Sequence, residues 1–371
     1  MGATHTPTPA RKPPVTSVGF IVWVRTNLFS SPFNTVLTVL SVAMLLWALI
    51  SFLDWAVFNA SFGLGDRTLC EANPAGACWT FIRVRMLQIL FGLYFASEPE
   101  QVWRPLLFFV LLGVNMLWIL HPRIPKKTLG MLSMILVLPF LAYALLNGVW
   151  LGLPEAPSER WGGFMLTVIL ASFGIVMALP IGILLALGRR SNMPLIRVFC
   201  VGFIELWRGT PLITVLFMAS VMLPLFLPSE VEFEKVLRAM VGITMFQSAY
   251  TAEAIRGGLA AIPKGQMEAS NSLGLSYWQA MGLIILPQAL RISIPGIVNT
   301  FIELFKDTSL VSIIGLLDLL GMANSTARSQ EWRGFEIEAY IFAAILFWIC
   351  CFGMSRYSQR LERRLDTNRR D

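Results

Sequence analysis

An all-α integral membrane protein with eight transmembrane helices is the fold class that the sequence predicts. Of the 371 residues, 56% are hydrophobic and only 14% are charged, whereas soluble domains carry about 25% charged residues. The mean hydropathy is +0.67. Apolar runs recur along the chain at the length that a helix needs to cross a bilayer, about 20 residues. A chain this apolar must place much of its surface in lipid.

Uncharged runs supply seven of the eight crossings. In chain order they are residues 34–53, 105–120, 128–152, 161–188, 209–229, 239–252 and 339–355. The remaining crossing is 292–317, which is apolar except for Glu303, Lys306 and Asp307. Residues 81–97 are also apolar, and we interpret them as a helix lying along the outer interface. The alternative for 81–97 is a further crossing, which would break the charge pattern described next.

The distribution of Lys and Arg predicts that both termini are cytoplasmic. With eight crossings, the segments on the side of the termini hold 19 Lys and Arg residues, and the opposite loops hold 9. Cytoplasmic loops carry the excess of basic residues. Residues 1–33 are then a cytoplasmic tail, and 356–371 a basic one. The net charge of +7 is explained by this topology and does not indicate nucleic-acid binding.

Cysteine and histidine usage limits the chemistry of the chain. Cys70 and Cys78 are separated by seven residues in the polar outer loop 54–104. An oxidising compartment would allow them to form a disulfide, but bridging also needs a short Cα separation, which the sequence leaves open. The two histidines, His5 and His121, do not suit a metal or catalytic site. No phosphate-binding loop or hydrolase motif occurs, so we expect no metal site, no bound cofactor and no enzymatic activity.

One cytoplasmic segment, 254–290, is longer than a connection between two crossings requires. Its central stretch reads EASNSLGLSYWQAMGLIILP, residues 268–287. Pro263 suits the start of a helix and Gly274 suits a turn between two short helices. Pro287 interrupts a helix or begins the next crossing. The apolar and aromatic residues of this segment favour a docking surface over an ordered loop without a partner.

This segment resembles the EAA loop of ABC-importer permeases. The family pattern is EAA, three residues, Gly, nine residues and Ile-x-Leu-Pro. The matching residues are Glu268, Ala269, Ser270, Gly274, Ile284, Leu286 and Pro287. Only Ser270 departs from the pattern, and it replaces Ala by another small residue. ELWRGTPLI (205–213), AYTAEAIRGGLAAIPKGQMEA (249–269) and FKDTSLVSIIGL (305–316) resemble further segments of permeases for polar amino acids.

The resemblance covers about residues 160–355 and implies that these five crossings form a type I importer permease core. It implies that the EAA loop docks on a separate ATP-binding subunit, present in two copies, which binds ATP and Mg. Glu268 would face that subunit; alternatively, it only begins a helix, where negative charge is favourable. The resemblance also implies a second permease subunit, a copy or a paralogue, of which the likeness to general L-amino acid importers favours the paralogue. It further implies a location in the bacterial inner membrane and a periplasmic amino-acid-binding protein as a partner.

Residues 34–155 form a preceding block of three crossings. This block resembles permease subunits of general L-amino acid importers, and it contains no motif to which the sequence assigns a mechanism.

Charges inside a crossing are costly and mark candidates for the substrate path. Glu303, Lys306 and Asp307 share one helical face because they are three and four residues apart. A pair between Lys306 and Glu303 would leave Asp307 free, and a zwitterionic amino acid needs both a cation and an anion. The competing interpretation is an ion pair that only stabilises the bundle. Thr308 and Ser309 follow these charges and can donate hydrogen bonds. Gln247, in the sixth crossing, is a separate candidate, although polar residues in crossings often bond to neighbouring helices.

The sequence therefore predicts a permease subunit of an ATP-driven importer for L-amino acids. This subunit forms the translocation path and couples it to a separate ATP-binding subunit. The alternative is a secondary amino acid transporter driven by an ion gradient. Such transporters often contain two repeated halves, and residues 1–155 and 160–355 show no repeat. The sequence leaves the identity of the transported amino acids open.

Overall fold

The computed structural model of the protein describes residues 19–121, 123–226, 228 and 233–365. The outer parts of the two predicted tails, 1–18 and 366–371, lie outside the described residues. Sixteen α-helices occur in the described part: α1 Phe20–Asn27, α2 Pro32–Leu53, α3 Thr68–Glu71, α4 Trp79–Ser97, α5 Trp103–Leu120, α6 Lys127–Leu132, α7 Leu138–Asn147, α8 Gly163–Arg189, α9 Pro194–Gly209, α10 Leu212–Phe217, α11 Lys235–Ala261, α12 Lys264–Ser272, α13 Tyr277–Ala280, α14 Leu286–Asp307, α15 Leu319–Ala327 and α16 Glu336–Leu365.

Shorter helical turns connect or continue several of these helices. The π-helical turns are Asp54–Phe58, Ser133–Val137, Met218–Met222 and Met281–Ile285. The 3₁₀ turns are Pro99–Gln101, Val149–Leu151, Ser158–Arg160, Leu223–Phe226 and Thr308–Ile314. The turn Ser133–Val137 joins α6 to α7, and the turn Met281–Ile285 joins α13 to α14, so that each pair reads as one long helix.

Six of the eight predicted crossings have a helix that is long and apolar enough to span a membrane. Within the described residues these are Pro32–Phe58, Pro99–Leu120, Lys127–Asn147, Gly163–Arg189, Tyr277–Ile314 and Glu336–Arg364. A bent pair of helices, Pro194–Gly209 and Leu212–Phe226, makes a seventh if the pair is one span. The predicted crossing 239–252 lies in α11, which is not among them. Its charged ends and the polar residues between them make α11 less apolar than the others.

The predicted crossing 209–229 corresponds to the second arm of this bent pair, and the bend lies at the start of the run. The helices on either side of Thr210 and Pro211 are bent by 103°. Thr210 is extended, with φ −108° and ψ 138°, because a residue that precedes proline is disfavoured in the α conformation. Pro211 also lacks the N–H that would continue the ladder of α9. Beyond this bend, the helical residues 212–226 follow one another without a break.

Close packing of α8 against α11 forms the centre of the bundle. Gly174, Ala178, Gly182 and Ala186 follow one face of α8, and all four are buried. A Cβ atom at Gly182 would lie 2.9 Å from the Cβ of Thr251 on α11. Small residues at this spacing allow two helix backbones to approach closely in a membrane. The stripe is therefore a packing surface, as its spacing in the sequence indicates.

Among the described residues, those up to Thr80 and those from Phe81 onward form two compact units. In the first unit, Cys70 and Cys78 are joined by a disulfide with their Cα atoms 5.4 Å apart. In the second unit, α5 to α7 pack with the helices of the C-terminal half. The second and third crossings therefore share a unit with the permease-like core, while α2 belongs to the first unit.

The C-terminal end of α7 is fixed by a buried arginine. Arg104, at the start of α5, is 0% exposed. Its Nε donates to the carbonyl of Leu145 at 2.8 Å, and its Nη1 donates to the carbonyl of Pro154 at 3.0 Å. Its Nη2 donates to the carbonyl of Leu146. The last carbonyls of a helix have no partner within the helix, and Arg104 supplies donors to two of them.

Candidate functional site

The segment that the sequence predicts to form two short helices consists of α12 and α13. Gly274 lies between them with φ 76°, a left-handed conformation that glycine adopts without steric cost. The N–H of Leu275 donates to the Ser270 carbonyl at 3.2 Å, and the N–H of Gly274 donates to the Asn271 carbonyl at 3.0 Å. These two bonds form the Schellman motif that ends α12.

The start of α13 is fixed as firmly as the end of α12. Ser276 and Gln279 form a reciprocal capping box at this helix start, in which the Ser276 N–H donates to Gln279 Oε1 at 2.9 Å. The turn between the two helices is therefore specified at both sides by local hydrogen bonds. The segment is a rigid hairpin rather than a loose loop.

The residues of the EAA pattern lie along this hairpin and at its return to the membrane. Glu268 and Ala269 are exposed on α12, and Gly274 is exposed at the turn. Glu268 is the fifth residue of α12, so the interpretation that it only begins a helix is wrong. Ser270 is buried, and its Oγ donates to the Gln266 carbonyl at 2.7 Å. The remaining residues of the pattern lie in the turn before α14 and at its start: Ile284, Leu286 and Pro287.

The hairpin has an anchored base and an apolar tip. Met267 packs beside Met281 and Ile285 in a cluster that also contains buried residues of α8 and α11. At the tip, Leu273 is 76% exposed and Trp278 is 71% exposed. Exposed apolar side chains grouped in this way indicate an interaction surface. We call α12, α13 and the turn between them the coupling hairpin.

A small polar cavity, of about 170 Å³, lies between α11 and α14. Its lining consists of Phe246, Gln247, Tyr250, Glu303, Lys306 and Asp307. Four of the residues that the sequence singles out for the substrate path are thus brought together: Gln247, Glu303, Lys306 and Asp307. We call this cavity the polar pocket.

Gln247 is the buried member of the polar pocket. It is 3% exposed, and its Nε2 has no hydrogen-bond partner among the described residues. A buried amide donor without a partner costs about 1–3 kcal/mol. This donor is therefore available to an acceptor that enters the cavity.

Two expectations about the charged face of α14 are not met. Glu303 and Lys306 do not form the predicted pair, because Glu303 Oε1 instead accepts from Asn299 Nδ2 at 3.0 Å, one turn earlier on the same face. Thr308 and Ser309 do not line the polar pocket. Thr308 is buried and its Oγ1 donates to the Phe305 carbonyl at 2.8 Å, because the helix tightens into a 3₁₀ turn at this residue.

A cluster of charges that the sequence did not single out lies one turn along α11 from the polar pocket. Glu253 forms ion pairs with Arg189 of α8 at 3.5 Å and with Arg208 of α9 at 3.8 Å, and it also pairs with Arg256. The guanidinium of Arg208 also lies 5.6 Å from the ring centroid of Tyr250, which lines the polar pocket. The members come from three helices, and only the pair Glu253 and Arg256, three residues apart on α11, has a local signal in the sequence.

The comparisons with known proteins identify the family. Residues 178–367 match the sequence profile described as "Binding-protein-dependent transport system inner membrane component". The chain is 48% identical over 367 residues, 99% of its length, to the inner membrane amino-acid ABC transporter permease protein YhdY of Escherichia coli strain K12, of which it covers 98%. The chain belongs to the amino-acid ABC transporter permeases. It is a permease subunit of an ATP-driven ABC importer of amino acids, located in the inner membrane with several crossings.

Two further relatives show how the permease is built. It is 41% identical over 424 aligned positions to the glutamate/glutamine/aspartate/asparagine transport system permease protein BztC of Rhodobacter capsulatus, covering 97% of each chain. It is 33% identical to the probable glutamine ABC transporter permease protein GlnP of Bacillus subtilis, which aligns with 54% of the permease and 91% of its own length. The family profile begins at residue 178, so the N-terminal block is an addition to the part that the profile describes.

Family membership settles what the permease needs from other subunits. ATP hydrolysis takes place in a separate ATPase subunit, and a permease subunit of this family binds no cofactor itself. An ABC importer of this kind works with ATPase subunits and a binding protein. The alternative of transport driven by an ion gradient is therefore wrong. Among the described residues no group of three His, Cys, Asp or Glu is placed to hold a metal ion.

Proposed function

We propose that the permease carries L-amino acids through the polar pocket. The observation that carries this proposal is that a buried amide donor without a partner, on Gln247, lines one cavity with an ammonium and two carboxylates. An amino acid is a zwitterion, and charged groups taken out of water need opposite charges or hydrogen bonds. The ammonium of Lys306 and the amide of Gln247 suit the substrate carboxylate. Asp307 and Glu303 suit the substrate ammonium.

The charge of the polar pocket supports neutral polar amino acids as the preferred substrates. One ammonium and two carboxylates leave the pocket with one net negative charge. An acidic amino acid would add a second carboxylate to this site, and like charges in a partly buried site repel. BztC is named for the transport of glutamate, glutamine, aspartate and asparagine, and we propose that the permease favours the amides of that set over the acids.

ATP-driven uptake by the reconstituted transporter tests this site. The permease, its ATPase subunits and its binding protein are placed in proteoliposomes, and uptake of radiolabelled L-glutamine is measured. Gln247→Leu should lower uptake about tenfold, the effect of losing one hydrogen bond to a charged group. Ser309→Ala is the matched control, because Ser309 is a neighbouring polar residue that does not line the pocket. Equal uptake by Gln247→Leu and the wild type would exclude the site.

We propose that the coupling hairpin docks on the ATPase subunit. Its apolar tip is exposed while its base is packed against α8 and α11, so that a force on the tip is transmitted to the bundle. Rigid-body rocking of helices around a central site is a common way to alternate access across a membrane. Each permease subunit would engage one of two ATPase subunits through this hairpin.

We propose that the permease crosses the membrane eight times, with both termini in the cytoplasm. Helix α11 has 27 residues, a length of about 40 Å, and it packs between α8 and α14, which both qualify as spans. If α11 and the bent pair each cross the membrane, there are eight crossings. The proposed order along the chain is then tail 1–33, block 34–155, core 160–355 and tail 356–371. Helix α4 bends at Gly92 (φ 87°), which suits a position along the outer interface.

Accessibility of single cysteines tests this topology. Cysteines introduced at exposed positions of the coupling hairpin should react with a membrane-impermeant thiol reagent only in inside-out vesicles. A cysteine at Glu155, in the connection between α7 and α8, should react only from the opposite side. The free cysteines Cys200, Cys350 and Cys351 are first replaced by alanine. Cys70 and Cys78 are bonded to each other and do not react.

The open side of the polar pocket supports the proposal that a second permease subunit is present. Glu303 and Lys306 are exposed in the single chain, and a partner subunit would close the pocket on that side. We propose that this partner is a paralogue rather than a second copy, as the resemblance to general L-amino acid importers implies. Co-expression with tagged versions of both chains tests this proposal, because a homodimer would be recovered with two differently tagged copies of the same chain.

A further inference from the structure

A second cavity, formed by described residues of the second unit, has no role in the proposed transport path. It has a volume of about 520 Å³, within the range of about 300–1,000 Å³ for sites of small ligands. It lies between the α6–α7 helix on one side and helices α8 and α11 on the other. None of its lining residues belongs to the polar pocket or to the coupling hairpin. Its lining residues include Met134, Leu138, Ile169, Val176 and Met240.

The body of this cavity is lined almost entirely by hydrocarbon side chains. Its walls come from Lys127–Asn147 and Gly163–Arg189, two of the helices long and apolar enough to span a membrane, and from α11. Ser172 is a polar lining residue of the body, and its Oγ is bonded to the Ile169 carbonyl at 3.2 Å. The body therefore offers no free polar group to a ligand.

One end of the cavity is polar and aromatic. The Tyr143 hydroxyl donates to Glu234 Oε1 at 2.7 Å. Trp150 and Trp161 lie with their ring centroids 5.6 and 6.2 Å from that of Tyr143. Glu155 is a second carboxylate within electrostatic range of the Tyr143 phenol. Tryptophan and tyrosine are enriched where a membrane meets water, so this end of the cavity lies at an interface.

Basic side chains near this end make contacts elsewhere, and Arg104 donates to the carbonyls of Leu145, Leu146 and Pro154. Arg238 donates through Nη1 to the Ser220 carbonyl, and Lys235 Nζ lies beside Gly315. Glu234 is the carboxylate that lines the mouth of the cavity, and Glu155 is a second carboxylate that acts on Tyr143 there. A ligand that fits must combine a long apolar part with a cationic group at one end.

We propose that this cavity binds one acyl chain of a phospholipid whose headgroup carries an ammonium group, with that ammonium beside Glu234 and Glu155. The bilayer surrounds the two spanning helices, so acyl chains are the apolar molecules present there at high concentration. A cavity without a ligand forfeits the dispersion contacts of its walls. An anionic headgroup would instead bring its net negative charge toward two carboxylates.

The position of the site gives the N-terminal block a role. The α6–α7 helix precedes residue 178, where the family profile begins, whereas α8 and α11 form the centre of the bundle. A bound chain fills the space between the added helix and this centre. The block thus forms one wall of a lipid site against the permease core.

Photo-labelling of the wild-type transporter tests the proposal without altering the protein. The purified complex of the permease with its other subunits is incubated with phosphatidylethanolamine that carries a diazirine near the middle of one acyl chain. The expected labels lie on cavity-lining residues such as Leu138 and Val176, and unlabelled phosphatidylethanolamine should compete for them. Labels confined to residues on the outer surface of α2 and α16, or equal competition by phosphatidylglycerol, would overturn the proposal.

Two variants at neighbouring residues distinguish lipid bound in the cavity from lipid bound to the outer surface of the helices. Ala142 lines the cavity, whereas Leu141 is 40% exposed and does not line it. Ala142→Phe should lower the labelling and the retained phosphatidylethanolamine about tenfold by filling the space. Leu141→Phe adds an aromatic ring one residue away and should leave both unchanged. Equal retention by the two variants would contradict the site.

A third variant tests the headgroup contact. Glu234→Gln removes one of the two carboxylates and leaves the apolar body intact. The preference for phosphatidylethanolamine over phosphatidylglycerol should fall about threefold to tenfold, as expected for one partly exposed charge contact. Total phospholipid retention, counted by mass spectrometry, should stay unchanged. An unchanged preference would show that these carboxylates do not select the headgroup.

Discussion

Gln247 of α11 and Asp307 of α14 line the same polar cavity, and the buried amide of Gln247 has no partner among the described residues. The two helices that supply them pack side by side through the core of the bundle. A donor on one helix and a carboxylate on the other can hold the two ends of a zwitterion. This relationship is the structural basis of the proposed substrate site.

The first prediction concerns Glu303, the exposed carboxylate of the polar pocket. Glu303→Gln removes the net negative charge of the pocket and keeps a side chain of similar shape. The ratio of L-glutamate to L-glutamine uptake should rise about threefold to tenfold, because one like-charge contact near a surface costs about 1 kcal/mol. Competitive uptake of the two labelled substrates measures this ratio. An unchanged ratio would show that Glu303 does not contact the substrate.

The second prediction concerns the turn of the coupling hairpin. Gly274 has φ 76°, and a residue with a Cβ atom pays about 1–2 kcal/mol in this conformation. Gly274→Ala should therefore weaken the binding of the ATPase subunit about tenfold by loosening the hairpin. Gly282→Ala is the control, because Gly282 is also exposed in this segment but has no positive φ. Binding of the purified ATPase subunit to nanodiscs with each variant gives the comparison.

The third prediction concerns Arg104. It donates to the carbonyls of Leu145, Leu146 and Pro154 from a fully buried position. Arg104→Met leaves those carbonyls without donors, and the expected loss of stability is about 2–5 kcal/mol. Arg83→Met, at an exposed arginine, should change stability by less than about 0.5 kcal/mol. Thermal unfolding in detergent distinguishes the two, and similar midpoints would refute the capping role.

The fourth prediction concerns Asp318, which lies outside the helices that qualify as spans. Burial raises the pKa of its carboxyl to about 6, although the N–H groups of Gly321 and Leu320 donate to it and oppose the shift. The folded protein therefore binds this proton more tightly than the unfolded chain. The associated stability is present below pH 4 and is lost as the pH rises through about 6, a change of about 3 kcal/mol.

Asp318→Asn tests this titration. Asparagine can also cap the N-terminus of α15, but it does not ionise. Unfolding measured from pH 4 to pH 8 should show a smaller fall in stability for the variant than for the wild type. At pH 8 the variant should be at least as stable as the wild type. If stability falls equally with pH in the variant and the wild type, Asp318 is not the group whose titration lowers the stability.

Local signals in the sequence explain why the coupling hairpin could be predicted in detail. Pro263, Gly274 and Pro287 each act within a few residues, since they start a helix, turn the chain or interrupt a helix. The polar pocket was predicted in part. The helical spacing of Glu303, Lys306 and Asp307 places them on one face, but their meeting with Gln247 depends on how α11 packs against α14.

Features that depend on tertiary packing could not be predicted from local patterns in the sequence. The ion pairs of Glu253 join residues of α8, α9 and α11, and Arg104 caps a helix that lies more than 40 positions further along the chain. The large apolar cavity is also a product of packing, because its walls come from three helices whose residues are ordinary membrane residues. The bend at Thr210 and Pro211 does have a local signal, because a proline and the residue before it disfavour a continuous helix.

A structure of the complete transporter, determined with saturating L-glutamine and without hydrolysable ATP, tests the central claim most directly. The account predicts substrate density between α11 and α14, with the substrate carboxylate within hydrogen-bond distance of Gln247 Nε2. It also predicts α12 and α13 seated on an ATPase subunit. Substrate density elsewhere in the permease, with the polar pocket filled by side chains or water, would contradict it.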